Sequence, residues 1–114
     1  MTTPSKLHET LVPDGPLSGV LVLDLSRILA GPTATQLLGD LGATVIKIEN
    51  PRTAGDDTRT WGPPYVETAE GASDLSAYFI ATNRNKFSVA ADISTKEGQD
   101  LVRSIACEAQ LFVE

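Results

Sequence analysis

The feature that most constrains this chain is a strand–helix–strand pattern packed between Gly19 and Glu49. Gly19-Val20-Leu21-Val22-Leu23-Asp24-Leu25 is a short, almost continuous apolar run, the signature of a parallel strand covered on both faces. Gly31-Pro32 then opens a helix, since proline is tolerated in a first turn, and Ala34, Leu37, Leu38 and Leu41 recur on one helical face. Gly42 closes it as a C-cap glycine would, and Ala43 to Glu49 follows as a β-branched second strand bounded by Pro51. Such a βαβ unit implies an α/β architecture: a Rossmann-like, open and mainly parallel sheet.

The remaining segments extend that pattern. Asn50 to Asp74 is dense in Gly, Pro, Thr and acidic residues with neither periodicity, which predicts a long surface loop. A short helix is expected over Leu75 to Thr82 and a third strand over Phe87 to Asp92. Ser94-Thr95-Lys96-Glu97 has the Ser-x-x-Glu spacing of a capping box, ahead of a helix amphipathic through Leu101, Val102, Ile105 and Ala109. Leu111-Phe112-Val113 begins another apolar strand with nothing after it to cover it, so a truncated domain is expected. With 114 residues the prior is one core, with residues 1–15 as a flexible lead-in and residues 16–114 as the domain.

Charge and cysteine usage narrow the function classes. A net charge of -6 argues against a nucleic-acid surface, so any bound anion must be met locally. Cys107 is the only cysteine, which precludes an intrachain disulfide and a thiolate zinc site and favours a reducing compartment. No apolar stretch approaches the ~20 residues that span a bilayer, and the first residues lack a signal-like apolar core.

Candidate chemistry concentrates at strand ends. Ser26-Arg27-Ile28-Leu29-Ala30-Gly31-Pro32 is a small-residue turn at the C-terminal end of strand one, where α/β sheets place ligands; Arg27 and the helix-start amides are suited to an anion. An ordinary tight turn with a solvated arginine has the same sequence. Glu49 lies where a dinucleotide fold puts its ribose-binding acid, but the Gly-x-Gly-x-x-Gly turn is missing, which disfavours a nicotinamide or flavin site. Asn83-Arg84-Asn85-Lys86 reads as a polar collar for a ligand or second subunit, or as a plain polar turn. Arg59 and Trp61 form either a cation–aromatic pair at a substrate mouth or a loop packed for stability. His8 lacks companions, Cys107 reads as a small buried thiol, and Asp24 and Asp40 read as isolated carboxylates, so no acid/base pair or nucleophile emerges.

Taken together, Val22 to Pro32, Leu38 to Glu49 and Asn83 to Lys86 resemble the opening of the family III CoA-transferases, which include formyl-CoA transferase, carnitine-related CoA transferases and the related alpha-methylacyl-CoA racemases. The likeness covers residues 16 to 114, and Gly55 to Pro64 is most similar to the succinyl-CoA:glutarate branch. The resemblance implies that Leu29 and Ala30, beside Arg27, line a CoA site, and that Asn50 and Ala91-Asp92-Ile93-Ser94 lie against its adenosine portion. Relatives often carry Arg in place of Asn50 and Lys in place of Ser94, so two phosphate contacts are replaced by neutral groups. It further implies CoA and acyl-CoA as substrates with no permanent cofactor or metal, a carboxylic acid as co-substrate, and interlocked homodimers of full-length chains. The family's nucleophile is an aspartate well downstream that becomes acyl-linked and then CoA-linked; no residue here matches it. The expected location is cytoplasmic, with mitochondrial as the alternative. A racemase-type relative, a dinucleotide-binding module and an inactive CoA-binding or interaction domain stand as other readings.

Overall fold

The computed structural model describes residues 11–114. Most of the expected lead-in, including His8, therefore lies outside the described residues. Four parallel strands form the central sheet: β1 (Leu21–Asp24), β2 (Thr44–Glu49), β5 (Lys86–Ala90) and β6 (Leu111–Val113). Their order is β5-β2-β1-β6, so the chain lays down sheet strands toward one side and then reverses to place β6 beside β1. That reversal is the topological switch of a Rossmann-like sheet, and it aims the open crevice at the C-terminal ends of the strands. The mainly parallel α/β sheet expected from the sequence is present.

The period of two along the strands divides the core. Leu21 and Leu23 of β1, with Ile46 and Ile48 of β2, pack with Val102 and Ile105 of helix α3 (Lys96–Glu108). Val22 and Val45 face the other way, against Leu38 of helix α1 (Ala30–Asp40). Asp24, Lys47 and Glu49 alternate onto the same side as Val22 and Val45, so this second face changes from apolar to charged toward the C-terminal edge. Gly42 follows α1 in the left-handed region (φ +102°), the C-cap role read from the sequence.

Four local expectations are corrected. The span from Asn50 to Asp74 is not a structureless loop: it contains two 3-10 turns (Pro51–Thr53 and Asp57–Thr60) and an antiparallel hairpin of β3 (Tyr65–Thr68) and β4 (Gly71–Ser76). Most hairpin side chains are exposed, so no buried face imposes an apolar alternation. The expected helix over Leu75 to Thr82 is α2 (Ala77–Asn83), which starts later because the Ser76 hydroxyl accepts from the Phe79 amide and caps it. The third strand ends at Ala90 rather than Asp92, because the backbone from Ala91 turns into α3. Finally, Thr95 and not Ser94 caps α3: its Oγ1 accepts from Gly98 N at 3.0 Å, while the Ser94 side chain turns back to Asp92.

Candidate functional site

The turn after β1 is shaped by a carboxylate that spacing alone made look isolated. Asp24 is fully buried, and its Oδ1 accepts from the Ser26 amide at 2.8 Å and from the Ser26 hydroxyl. Its Oδ2 accepts from Thr35 Oγ1 of α1 at 2.5 Å and pairs with Lys86 Nζ at 3.2 Å. One side chain thus ties the turn to the following helix and to β5. Gly31 allows that helix to start against Ser26, since an added Cβ would stand 2.2 Å from Ser26 Cβ. Ile28 is held at φ 75°, an outlier for a β-branched residue that costs of order 1–3 kcal/mol and persists because its surroundings over-determine it.

Two further ion pairs line the charged face. Lys47 Nζ lies 2.9 Å from Asp56 Oδ2, with both side chains buried, and donates to the Ser26 carbonyl at 3.0 Å. Glu49 accepts from Arg59 through both oxygens, at 2.8 and 2.7 Å, from the Asp56 amide at 2.9 Å and from the Ser88 hydroxyl. Burial alone would raise the Glu49 carboxyl, but donors from Arg59, Ser88 and Asp56 outweigh it and hold it at about 2. Glu49 is therefore a structural anion, and the ribose-binding role considered for it is excluded by its occupied oxygens.

The other side-chain readings are also revised. Arg59 stacks over Phe79 at 4.0 Å and not over Trp61, which packs edge-on against Tyr78. In the supposed collar, the Lys86 side chain is 2% exposed and also bonds the Pro32 carbonyl and Asn83, while Arg84 and Asn85 engage Asp40. Asp40 is thus paired, not isolated. Burial pulls the Lys86 amine down to about 8 although Asp24 opposes the shift. Cys107 is exposed, because Val102 and Ile105 define the buried face of α3 and Cys107 falls on the other. Among the described residues, no cluster of three or more His, Cys, Asp or Glu side chains has a metal-holding arrangement.

The residues that the resemblance assigns to CoA all lie beyond the carboxyl ends of parallel strands. Arg27, Leu29 and Ala30 follow β1 and are exposed; Asn50 follows β2; Ala91 to Ser94 follow β5. Arg27 and Asn50 line one small pocket of about 90 Å³ together with Glu49, Thr53, Gly55 and Asp57. Ala91 is buried in the core and donates its amide to the Glu49 carbonyl at 3.0 Å, joining the ends of β2 and β5. Asp92 accepts from Ser94 N and Oγ at 3.0 and 2.6 Å, which, with Arg52 nearby, holds its carboxyl below the usual range. Ile93 is exposed beside them. Sequence reasoning passed over Arg52, which reaches from the turn after β2 to Asp92 Oδ2 at 3.6 Å. No spacing rule connects residues forty positions apart.

Comparison with known proteins adds a family. The family model for CoA-transferase family III matches residues 17–114. A succinate--glutarate CoA-transferase of Agrobacterium fabrum is 54% identical over 99 residues, covering 87% of this chain and 24% of the relative. A succinyl-CoA:glutarate CoA-transferase of Homo sapiens is 52% identical over 99 residues, covering 87% of this chain and 21% of the relative. Among solved structures, a CAIB/BAIF family protein from Brucella suis superposes with a TM-score of 0.77 at 51% identity, over 86% of this chain and 25% of that one. A hypothetical protein from Mycobacterium tuberculosis superposes with a TM-score of 0.74 at 38% identity, over 90% of this chain and 26% of that one. The chain spans about a quarter of the length of these relatives.

Proposed function

Because the chain belongs to CoA-transferase family III, we propose that it supplies the CoA-holding edge of an enzyme that moves CoA from an acyl-CoA to a free carboxylic acid. Succinyl-CoA as donor and a dicarboxylic acid such as glutarate as acceptor are the first candidates, on the strength of the relatives above 50% identity. In this reading an aspartate outside these residues attacks the donor thioester and expels CoA thiolate, which attacks the acyl-aspartyl anhydride to free the donor acid and leave an aspartyl-CoA thioester; the acceptor carboxylate then displaces the thiolate, which attacks the new anhydride to give the acceptor's CoA thioester and the free aspartate. The active form is a homodimer of full-length chains, working in the cytoplasm. The observation that carries this division of labour is electrostatic. The buried carboxylates Asp24, Glu49 and Asp56 are paired with Lys86, Arg59 and Lys47 respectively, which supports a structural role for all three.

CoA lies across the strand ends in this reading, with its pantetheine arm against Leu29 and Ala30 and its adenosine half against Asn50 and Ala91 to Ser94. Small side chains at the turn after β1 let the ligand approach the backbone. Ala30 is exposed, so Ala30→Trp is expected to fold while filling that space. Calorimetric titration of CoA is expected to show at least a tenfold loss of affinity for Ala30→Trp. Arg84→Ala, whose guanidinium pairs with Asp40 before the start of β5, is expected to bind as the wild type does. Undiminished binding by a folded Ala30→Trp chain would overturn the assignment.

A further inference from the structure

The cations near the C-terminal edge of the sheet fall into two groups. Lys47, Arg59 and Lys86 are tied to Asp56, Glu49 and Asp24 at 2.9, 2.7 and 3.2 Å, and serve the fold. Lys96, at the start of α3, is drawn along its own helix to Asp100 at 2.6 Å. Arg27 and Arg52 differ from these: their side chains are 69% and 73% exposed, and their carboxylate partners stand 4.0 and 3.6 Å away, longer than a hydrogen bond. Either guanidinium can turn onto an anion without breaking a short hydrogen bond to its carboxylate partner.

The two differ in position. Arg27 lies on the β1 side, next to the start of α1. Arg52 sits on the opposite side of the β2 end, in a 3-10 turn whose backbone is fixed by its own amide donating to Asn50 Oδ1 at 2.9 Å. Asp92 Oδ2 draws the guanidinium toward the gap between that turn and the turn after β5, while Asp92 Oδ1 is occupied by Ser94. In a chain of net charge -6, a doubly charged phosphate reaching this gap needs a local cation, and a planar guanidinium fork matches phosphate oxygens two at a time.

We propose that Arg52 binds the phosphate carried on the ribose of CoA and gives this edge its preference for the 3′-phosphorylated cofactor. The proposal rests on the reading that the adenosine half of CoA lies at the ends of β2 and β5. Arg52 is then a ligand-binding residue, loosely held by Asp92 until the phosphate arrives, and the carboxylate sets its direction.

Dephospho-CoA, which differs from CoA only in lacking that phosphate, separates this from the underlying reading. Wild type is expected to bind CoA about tenfold more tightly than dephospho-CoA, the scale of one charge-assisted contact. Arg52→Gln is expected to lose that factor for CoA and leave dephospho-CoA affinity unchanged; Arg52→Lys is expected to keep part of the preference. Because the side chain is mostly exposed, the variants should retain the wild-type circular dichroism. Equal binding of both ligands by wild type, or a wild-type preference that survives in Arg52→Gln, would overturn the role of Arg52 while leaving the CoA site in place. Absence of binding for either ligand in wild type would remove the CoA site itself, and this role with it.

Discussion

Replacing Asp24 by alanine is expected to lower the stability of the chain by about 3–5 kcal/mol, the cost of breaking one half of a buried ion pair. Asp24 is fully buried and the Lys86 side chain is 2% exposed, so water cannot take over as partner. The same substitution removes the acceptor for the Ser26 amide, the Ser26 hydroxyl and Thr35 Oγ1, releasing the turn that leads to Leu29 and Ala30. Two measurements identify the cause. Lys86→Met in the Asp24→Ala background is expected to recover part of the loss, because it removes the stranded cation. Raising the pH has the same direction. The folded-state value of Lys86, about 8, lies below its ordinary 10.5, so the unfolded chain holds more protons between the two and stability rises with pH there. Losing Asp24 moves that window lower. Urea unfolding of the variants at pH 7 and pH 9 checks both; an Asp24→Ala chain within about 1 kcal/mol of wild type would contradict the role of Asp24 in tying the turn to α1 and β5.

The second large effect is acid sensitivity through Glu49. Its folded-state value of about 2 is depressed from 4.5, so its contribution is complete above 4.5 and is lost as the pH falls toward 2. At roughly 1.36 kcal/mol per unit, the full contribution is about 3 kcal/mol. Glu49→Gln is expected to unfold with a shallower dependence on pH between 4.5 and 2, with lower stability at pH 7. Thermal unfolding followed across that range compares the slopes. Parallel profiles for wild type and Glu49→Gln would show that Arg59, Ser88 and the Asp56 amide do not discriminate the charged form.

These two carboxylates also show where the sequence is legible and where it is not. Strands β1 and β2 and helix α3 are written in local periodicity: Leu21 and Leu23 alternate with Val22, and Val102 and Ile105 share a helical stripe. The phase of α1 is not, since Ala34, Leu37 and Leu41 of the expected apolar face are exposed and the helix buries Pro32, Thr35, Gln36 and Gly39 instead. The ends of β1, β2 and β5 follow from those elements, and with them the places of Arg27, Leu29, Ala30, Asn50 and Asp92. Partnerships are another matter. Asp24 meets a lysine 62 residues away and Asp40 an arginine 44 residues away, through pairings that only the folded sheet creates. The β3–β4 hairpin escaped for a different reason: lying mostly in solvent, Tyr65 to Ser76 has no need of an alternating apolar face. Cys107 was misplaced because residue type was weighed above helical phase.

In the proposed function CoA meets the carboxyl ends of β1, β2 and β5. The most direct measurement is a titration of CoA into isotope-labelled chain, followed at each backbone amide. The expected result is a saturable set of shifts at Arg27 to Gly31, Asn50, Arg52 and Ala91 to Ser94, with the β3–β4 hairpin and the outer face of α3 unmoved. Shifts confined to the hairpin or to α3, or no saturable shift at millimolar CoA, would contradict it.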